Sequence, residues 1–213
     1  MFLKELDERG FIKFSSNVDQ SILDVSKTLG DVYKVPTMPL VQTLMPRLKD
    51  NKLSNTYSGI FGVEEFPFHT DLAHWFVPPR YILLRCVSPV LDVYTKLIDS
   101  TELYSKNECG LLSRAHFKSR KKLDRTSNIL RLKQGKIFRW DSIFIKPINE
   151  SANDIYELIR LRIDNAEYQN IALKKKGDCL LIDNWRMLHG RSAVGSESMQ
   201  RKLERVYFEE VMY

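Results

Sequence analysis

The stretch GDCLLIDNWRMLHGR, residues 177–191, decides how the rest of the chain is read. Gly177-Asp178 is a turn signal. The apolar run 179–184 that follows reads as a strand, and it ends just before His189. A histidine placed there, beside Gly190 and Arg191, stands at the mouth of a barrel rather than in its core. Working outward, further short strands are expected at 10–14, 55–60, 80–87, 93–98, 135–139, 170–173 and 202–211. Helices are few. Val18, Ile22, Val25 and Leu29 recur at helical spacing, with Gly30 as a stop. Ile155, Leu158, Ile159 and Ile163 share one face of a helix over 153–163, and a short helix capped by Ser100 or Thr101 follows Asp99. Many short strands with few flanking helices predict a mainly β chain, an antiparallel barrel or jelly roll. No glycine-rich strand-to-helix turn supports a dinucleotide-binding α/β fold.

The 213 residues are 43% hydrophobic and include 11 Phe, 9 Tyr and 3 Trp, enough for one cored domain over 1–213. No apolar run is long enough for a membrane-spanning helix. The start MFLKELDERGFIKF has no apolar signal core, which argues against secretion. Cys86, Cys109 and Cys179 are odd in number and far apart, so they read as reduced thiols in a cytoplasmic protein. The net charge of +6 favours an anionic ligand or partner.

Chemistry enters with His69-Thr70-Asp71. In an extended segment, residues two apart point the same way, so His69 and Asp71 can reach one metal ion. The plainer reading is a histidine hydrogen-bonded to a neighbouring carboxylate. His189 supplies a second imidazole. Two histidines and one carboxylate, with three positions left open, is the arrangement of non-haem Fe(II) oxygenases. The third piece is 201–207, where a period of two puts Arg201, Leu203, Arg205 and Tyr207 on one face. Arginines turned into a barrel call for an anion, and a guanidinium fork suits a carboxylate. A solvated outer face is the alternative.

The order FPFHTD (66–71), FRWDSIFIKP (138–147), GDCLLIDNWRMLHGR (177–191) and RKLERVYFE (201–209) resembles the taurine dioxygenase and γ-butyrobetaine hydroxylase, or clavaminate synthase-like, family of Fe(II)/2-oxoglutarate-dependent oxygenases. The resemblance implies a double-stranded β-helix, a cupin-like jelly roll. It implies iron ligation by His69, Asp71 and His189. It assigns Arg201 to the C5 carboxylate of 2-oxoglutarate, with Thr95 sharing that carboxylate, and Arg205 to the substrate or the near end of the co-substrate. The implied reaction consumes O2 and 2-oxoglutarate, releases succinate and CO2, and oxidises an unactivated C–H bond. A carboxylate at Asp71, where related halogenases carry Gly or Ala, argues for hydroxylation, desaturation or another oxidation. Two features depart from the family. The stretch before Thr95 lacks the usual glycines, and the chain between His69 and His189 is short, which implies reduced loops and a simpler pocket.

Substrate clues are weaker. Segment 105–136 is expected to form a lid, and between Arg114 and Lys136 nine basic residues face one acid, Asp124. It would attract an anionic substrate or be a solvated loop. Trp75, with Tyr57 and Phe61, would line the pocket or belong to the core. Arg139 would meet a substrate carboxylate or sit in a buried structural pair. The leading expectation is a small anionic or zwitterionic metabolite such as an amino acid. Two alternatives stand beside it: a substrate tethered to a carrier protein or nucleotide, and a metal-binding jelly roll without turnover. Free nucleic acid is disfavoured because no aromatics interleave with the basic run.

Overall fold

The computed structural model describes residues 2–36, 38–120 and 129–212. Two antiparallel sheets form its centre. The larger has six strands in the order Phe11–Ser15, Asp178–Asp183, Tyr81–Ser88, Lys202–Val211 and Gly30–Tyr33, with Gln42–Leu44 also paired to Lys202–Val211. The smaller runs Gln169–Ile171, Thr95–Asp99, Met187–Arg191 and Phe66–His69. Neighbours in each are distant in sequence, and the two sheets make the double-stranded β-helix.

Why the central strands read as nearly unbroken apolar runs is now clear: both faces of each sheet are covered. Along Tyr81–Ser88, Ile82, Leu84 and Cys86 point between the sheets, where they join Leu180, Ile182, Leu203 and Tyr207. Leu97 and Met187 reach the same cluster from the smaller sheet. The alternate residues Tyr81, Leu83, Cys179, Leu181, Val206 and Phe208 point outward and are covered by Leu6, Ile22, Val25 and Leu29. Those four belong to the helices Phe2–Arg9 and Ile22–Leu29. Outside the smaller sheet, Ile98 and Leu188 pack on Ile155, Ile159 and Ile163 of the helix Glu150–Asn165. Asn149 caps that helix by accepting from the Ala152 N–H.

Several local expectations are corrected. Residues 55–60 do not form a strand. Thr56 accepts from the Gly59 N–H, Gly62 closes the turn at φ 57°, and between them lies the helix Tyr57–Phe61. Val18 is exposed and outside the second helix, which begins at Ile22 because Ser21 caps it. Asp99, not Ser100 or Thr101, caps the turn Ser100–Glu102. Of 135–139 only Ile137–Phe138 is strand. In the expected lid, Leu112, Ala115, Phe117, Leu130 and Leu132 are fully buried beside the helix Glu150–Asn165. That part is built into the fold rather than laid over the site. Lys121, Lys122, Asp124 and Arg125 lie outside the described residues. No helix among the described residues is long and apolar enough to cross a membrane.

Candidate metal centre

Antiparallel pairing brings the two histidines together. His69 ends its strand directly opposite His189 on Met187–Arg191, and side chains so placed sit on the same face. Their ring centroids are 4.5 Å apart. His69 Nδ1 lies 2.9 Å from the Pro67 carbonyl, which can only accept, so Nδ1 donates there and Nε2 is the ring nitrogen turned to the site. Asp71, two residues beyond His69, places Oδ1 3.5 Å from His69 Nε2 and 3.4 Å from His189 Nε2. All three donor atoms lie within 4.8 Å of one another. Tyr57 stacks on the His69 ring at 3.9 Å.

The carboxylate is held from behind. Arg205 Nη1 and the Tyr207 hydroxyl each donate to Asp71 Oδ2 at 2.8 Å. Its backbone is held as well. Asn184, wholly buried, accepts from the Asp71 N–H at 2.7 Å and donates to the carbonyls of Asp71 (3.1 Å) and Pro79 (2.9 Å). The next residue, Leu72, has a φ of 56°, the only non-glycine among the described residues with positive φ.

Burial by itself raises the Asp71 carboxyl, but Arg205, His189 and His69 outweigh it and hold it well below the usual carboxylate range. Burial, reinforced by His69, pushes His189 down despite Asp71. A carboxylate held ionised beside two imidazole nitrogens fits a divalent first-row metal ion.

These groups open onto a cavity of about 620 Å³ that Thr95, Trp75, Tyr57, Gln42, Arg191 and Arg201 also line. Arg201 is buried, with no carboxylate partner among the described residues, and burial brings its guanidinium down to about 10. Arg191 is likewise pushed down to about 10, by burial and by Arg201. It differs in having partners, the carbonyls of Gly62 and Glu64. Thr95 is buried on Thr95–Asp99, directly opposite Arg191.

Two expected substrate contacts are placed otherwise. Arg205 borders the cavity, but its guanidinium is already engaged by Asp71 and by Gln42 Oε1. Arg139 does not reach the cavity. Its buried guanidinium holds the carbonyls of Ala73, Trp75 and Phe76 together with Gln134 Oε1, so it braces the chain that follows Asp71. Gln42 and Asn184 were not legible as site residues. Gln42 Nε2 is buried without a hydrogen-bond partner among the described residues. Neither residue has a local pattern, because each acts on a residue far along the chain.

Residues 138–207 match the family model described as taurine catabolism dioxygenase TauD, TfdA family. That span includes His189, Arg201 and Arg205. No curated protein gives a significant sequence match. Among solved structures, an asparagine oxygenase superposes with a TM-score of 0.71 at 17% identity, covering 97% of this chain and 75% of that one. The non-heme iron oxygenase OrfP in complex with Fe gives 0.76 at 19% identity, over 98% and 79%. PvcB, an Fe, alpha-ketoglutarate dependent oxygenase from an isonitrile synthetic pathway, gives 0.67 at 18% identity, over 97% and 78%. OrfP structures hold Fe with alpha-ketoglutaric acid, and Fe with succinate and (3S)-hydroxy-L-Arg. The asparagine oxygenase is seen with Fe(II), 3-hydroxyasparagine and succinate. The jelly-roll fold and the resemblance to the TauD family are thereby borne out.

Proposed function

We propose that this chain is an Fe(II)- and 2-oxoglutarate-dependent oxygenase that hydroxylates a small amino acid or a similar anionic or zwitterionic metabolite. One observation carries the reading: His69 Nε2, His189 Nε2 and Asp71 Oδ1 converge on one point of a cavity that also holds a buried arginine with no carboxylate partner among the described residues. The first set suits iron, and the second suits a carboxylate-bearing co-substrate.

Iron, when bound, supplies the oxidising power for C–H hydroxylation coupled to the conversion of 2-oxoglutarate and O2 into succinate and CO2. The protein's part is placement. His69, His189 and Asp71 would hold the ion from one side and leave the cavity side free. Arg201 would receive the C5 carboxylate of 2-oxoglutarate, with the Thr95 hydroxyl beside it. The apolar walls formed by Trp75, Leu84 and Leu203 would limit water around a bound substrate. Gln42 Nε2, a buried donor without a partner among the described residues, would donate to an oxygen of the substrate. The structures of OrfP and the asparagine oxygenase with hydroxylated amino acids support that substrate class. Three free cysteines agree with a reducing, cytoplasmic setting.

The test is succinate release by iron-loaded protein across the free L-amino acids and their simple acylated derivatives, with the product weighed by mass spectrometry. The expected result is stoichiometric succinate and a product heavier by one oxygen for at least one acid. Succinate at the substrate-free background across the whole panel would overturn the substrate class.

A further inference from the structure

The two oxygens of Asp71 have different environments. Oδ1 faces both imidazoles, while Oδ2 takes two hydrogen bonds of 2.8 Å, from Arg205 and from Tyr207. Both donors come from the strand Lys202–Val211, where residues two apart share a face. The guanidinium is fixed on its other edge by Gln42 Oε1. The Tyr207 ring is buried between the sheets against Leu203 and Ile82. Neither donor can follow the carboxylate if it swings, so turning Oδ2 toward the imidazoles breaks both bonds.

We infer that Tyr207 and Arg205 are positioning residues that make Asp71 a one-oxygen ligand. Free carboxylates bind metals through one oxygen or two. Chelation through both would take one of the three positions that a two-point co-substrate and dioxygen require. By occupying Oδ2, the pair leaves only Oδ1 to offer and keeps all three positions open. Arg205 thereby acts on the metal ligand instead of, or before, any substrate. The inference rests on the proposed reading of this site as a metal centre.

Mn(II) is the probe, because it is a divalent first-row ion next to Fe(II) in the affinity order and is stable in air. The electron paramagnetic resonance signal of free Mn(II) gives the Kd, and water-proton relaxation gives the number of open positions. Tyr207→Phe keeps the buried ring and removes one hydrogen bond. Arg205→Gln is the second variant. Each is expected to weaken Mn(II) about tenfold, the lower end for partners of metal ligands. The double variant, in which both donors to Oδ2 are gone, is also expected to lower the relaxivity of the fully loaded protein by about a third, as Oδ2 takes one of three water positions. The far-ultraviolet spectrum and unfolding midpoint establish that each variant is folded. Unchanged relaxivity in the folded double variant overturns the inference, whatever the Kd. Wild type that binds no Mn(II) overturns the metal-centre reading itself, which is a separate result.

Discussion

Removing the side chain of Asn184 tests how the second ligand is held. Asn184→Ala takes away one accepted and two donated hydrogen bonds, at 2.7, 3.1 and 2.9 Å. It leaves the Asp71 N–H, the Asp71 carbonyl and the Pro79 carbonyl without partners where Asn184 is wholly buried. Each such orphaned group costs about 1–3 kcal/mol, and a water admitted to the vacated space recovers part of the total. The expected loss is about 3–5 kcal/mol, a large share of the roughly 5–15 kcal/mol that holds a domain together. Leu72 works against this loss, because its strain can relax once the clamp is gone. Its left-handed backbone costs on the order of 1–3 kcal/mol and is held in place by the Asn184 clamp on the residue before it. Asn184→Asp keeps the acceptor but turns lone pairs toward two carbonyls, so it is expected to be at least as damaging. Urea unfolding followed by circular dichroism, with the slope compared to wild type, gives the difference. A loss below about 1 kcal/mol in both variants would refute the clamp.

Other perturbations have equally definite outcomes. Arg201→Ala would remove the charged contact proposed for the 2-oxoglutarate carboxylate and is expected to weaken 2-oxoglutarate about 100-fold, near 3 kcal/mol, in equilibrium dialysis with metal-loaded protein. Less than fivefold would exclude Arg201 as the receptor. A Cβ at Gly190 would meet the Phe66 carbonyl at 2.8 Å, so Gly190→Ala should push the two histidine-bearing strands apart. Its expected signature is loss of Mn(II) binding with a destabilisation of about 1–3 kcal/mol, and retained affinity would contradict it. Burial lowers His74 from 6.5 to about 4, so between those values the unfolded chain binds more protons than the folded one. Stability of the metal-free protein should therefore fall as pH drops from about 6.5 to about 4. His74→Gln should flatten that slope, and an unchanged slope would remove His74 as its source.

Where the chain could be read from sequence, two covered faces or a short local motif made it possible. The strand expected at 202–211 has those bounds, and Tyr81–Ser88 pairs with its first part while Gln42–Leu44 and Gly30–Tyr33 pair along its other edge. The helix expected at 153–163 lies inside Glu150–Asn165, since its apolar face meets the smaller sheet at the spacing the residues display. Residues 55–60 failed because alternation over so few positions is indistinguishable from one helical turn, and the Thr56 and Gly62 caps decided the matter. The helix Phe2–Arg9 went unread because only Leu6 on it is buried. At the site, His69 and Asp71 are two residues apart and readable as a pair. Arg139 left two readings open because an arginine amid carbonyls looks, in sequence, like one awaiting a ligand, and the structure gives it the buried structural role. Asn184 lies 113 positions from Asp71, so its grip on that residue leaves no periodic trace.

The central claim is that one cavity holds iron and 2-oxoglutarate together. The most direct measurement is anaerobic addition of Fe(II) and then 2-oxoglutarate to the metal-free protein, followed by visible absorption, for wild type, His189→Ala and Arg201→Ala. A weak metal-to-ligand charge-transfer band in wild type is predicted, absent in His189→Ala and shifted to much higher 2-oxoglutarate in Arg201→Ala. A folded, iron-loaded wild type that develops no band at saturating 2-oxoglutarate would contradict the account and leave a metal-binding jelly roll without this co-substrate.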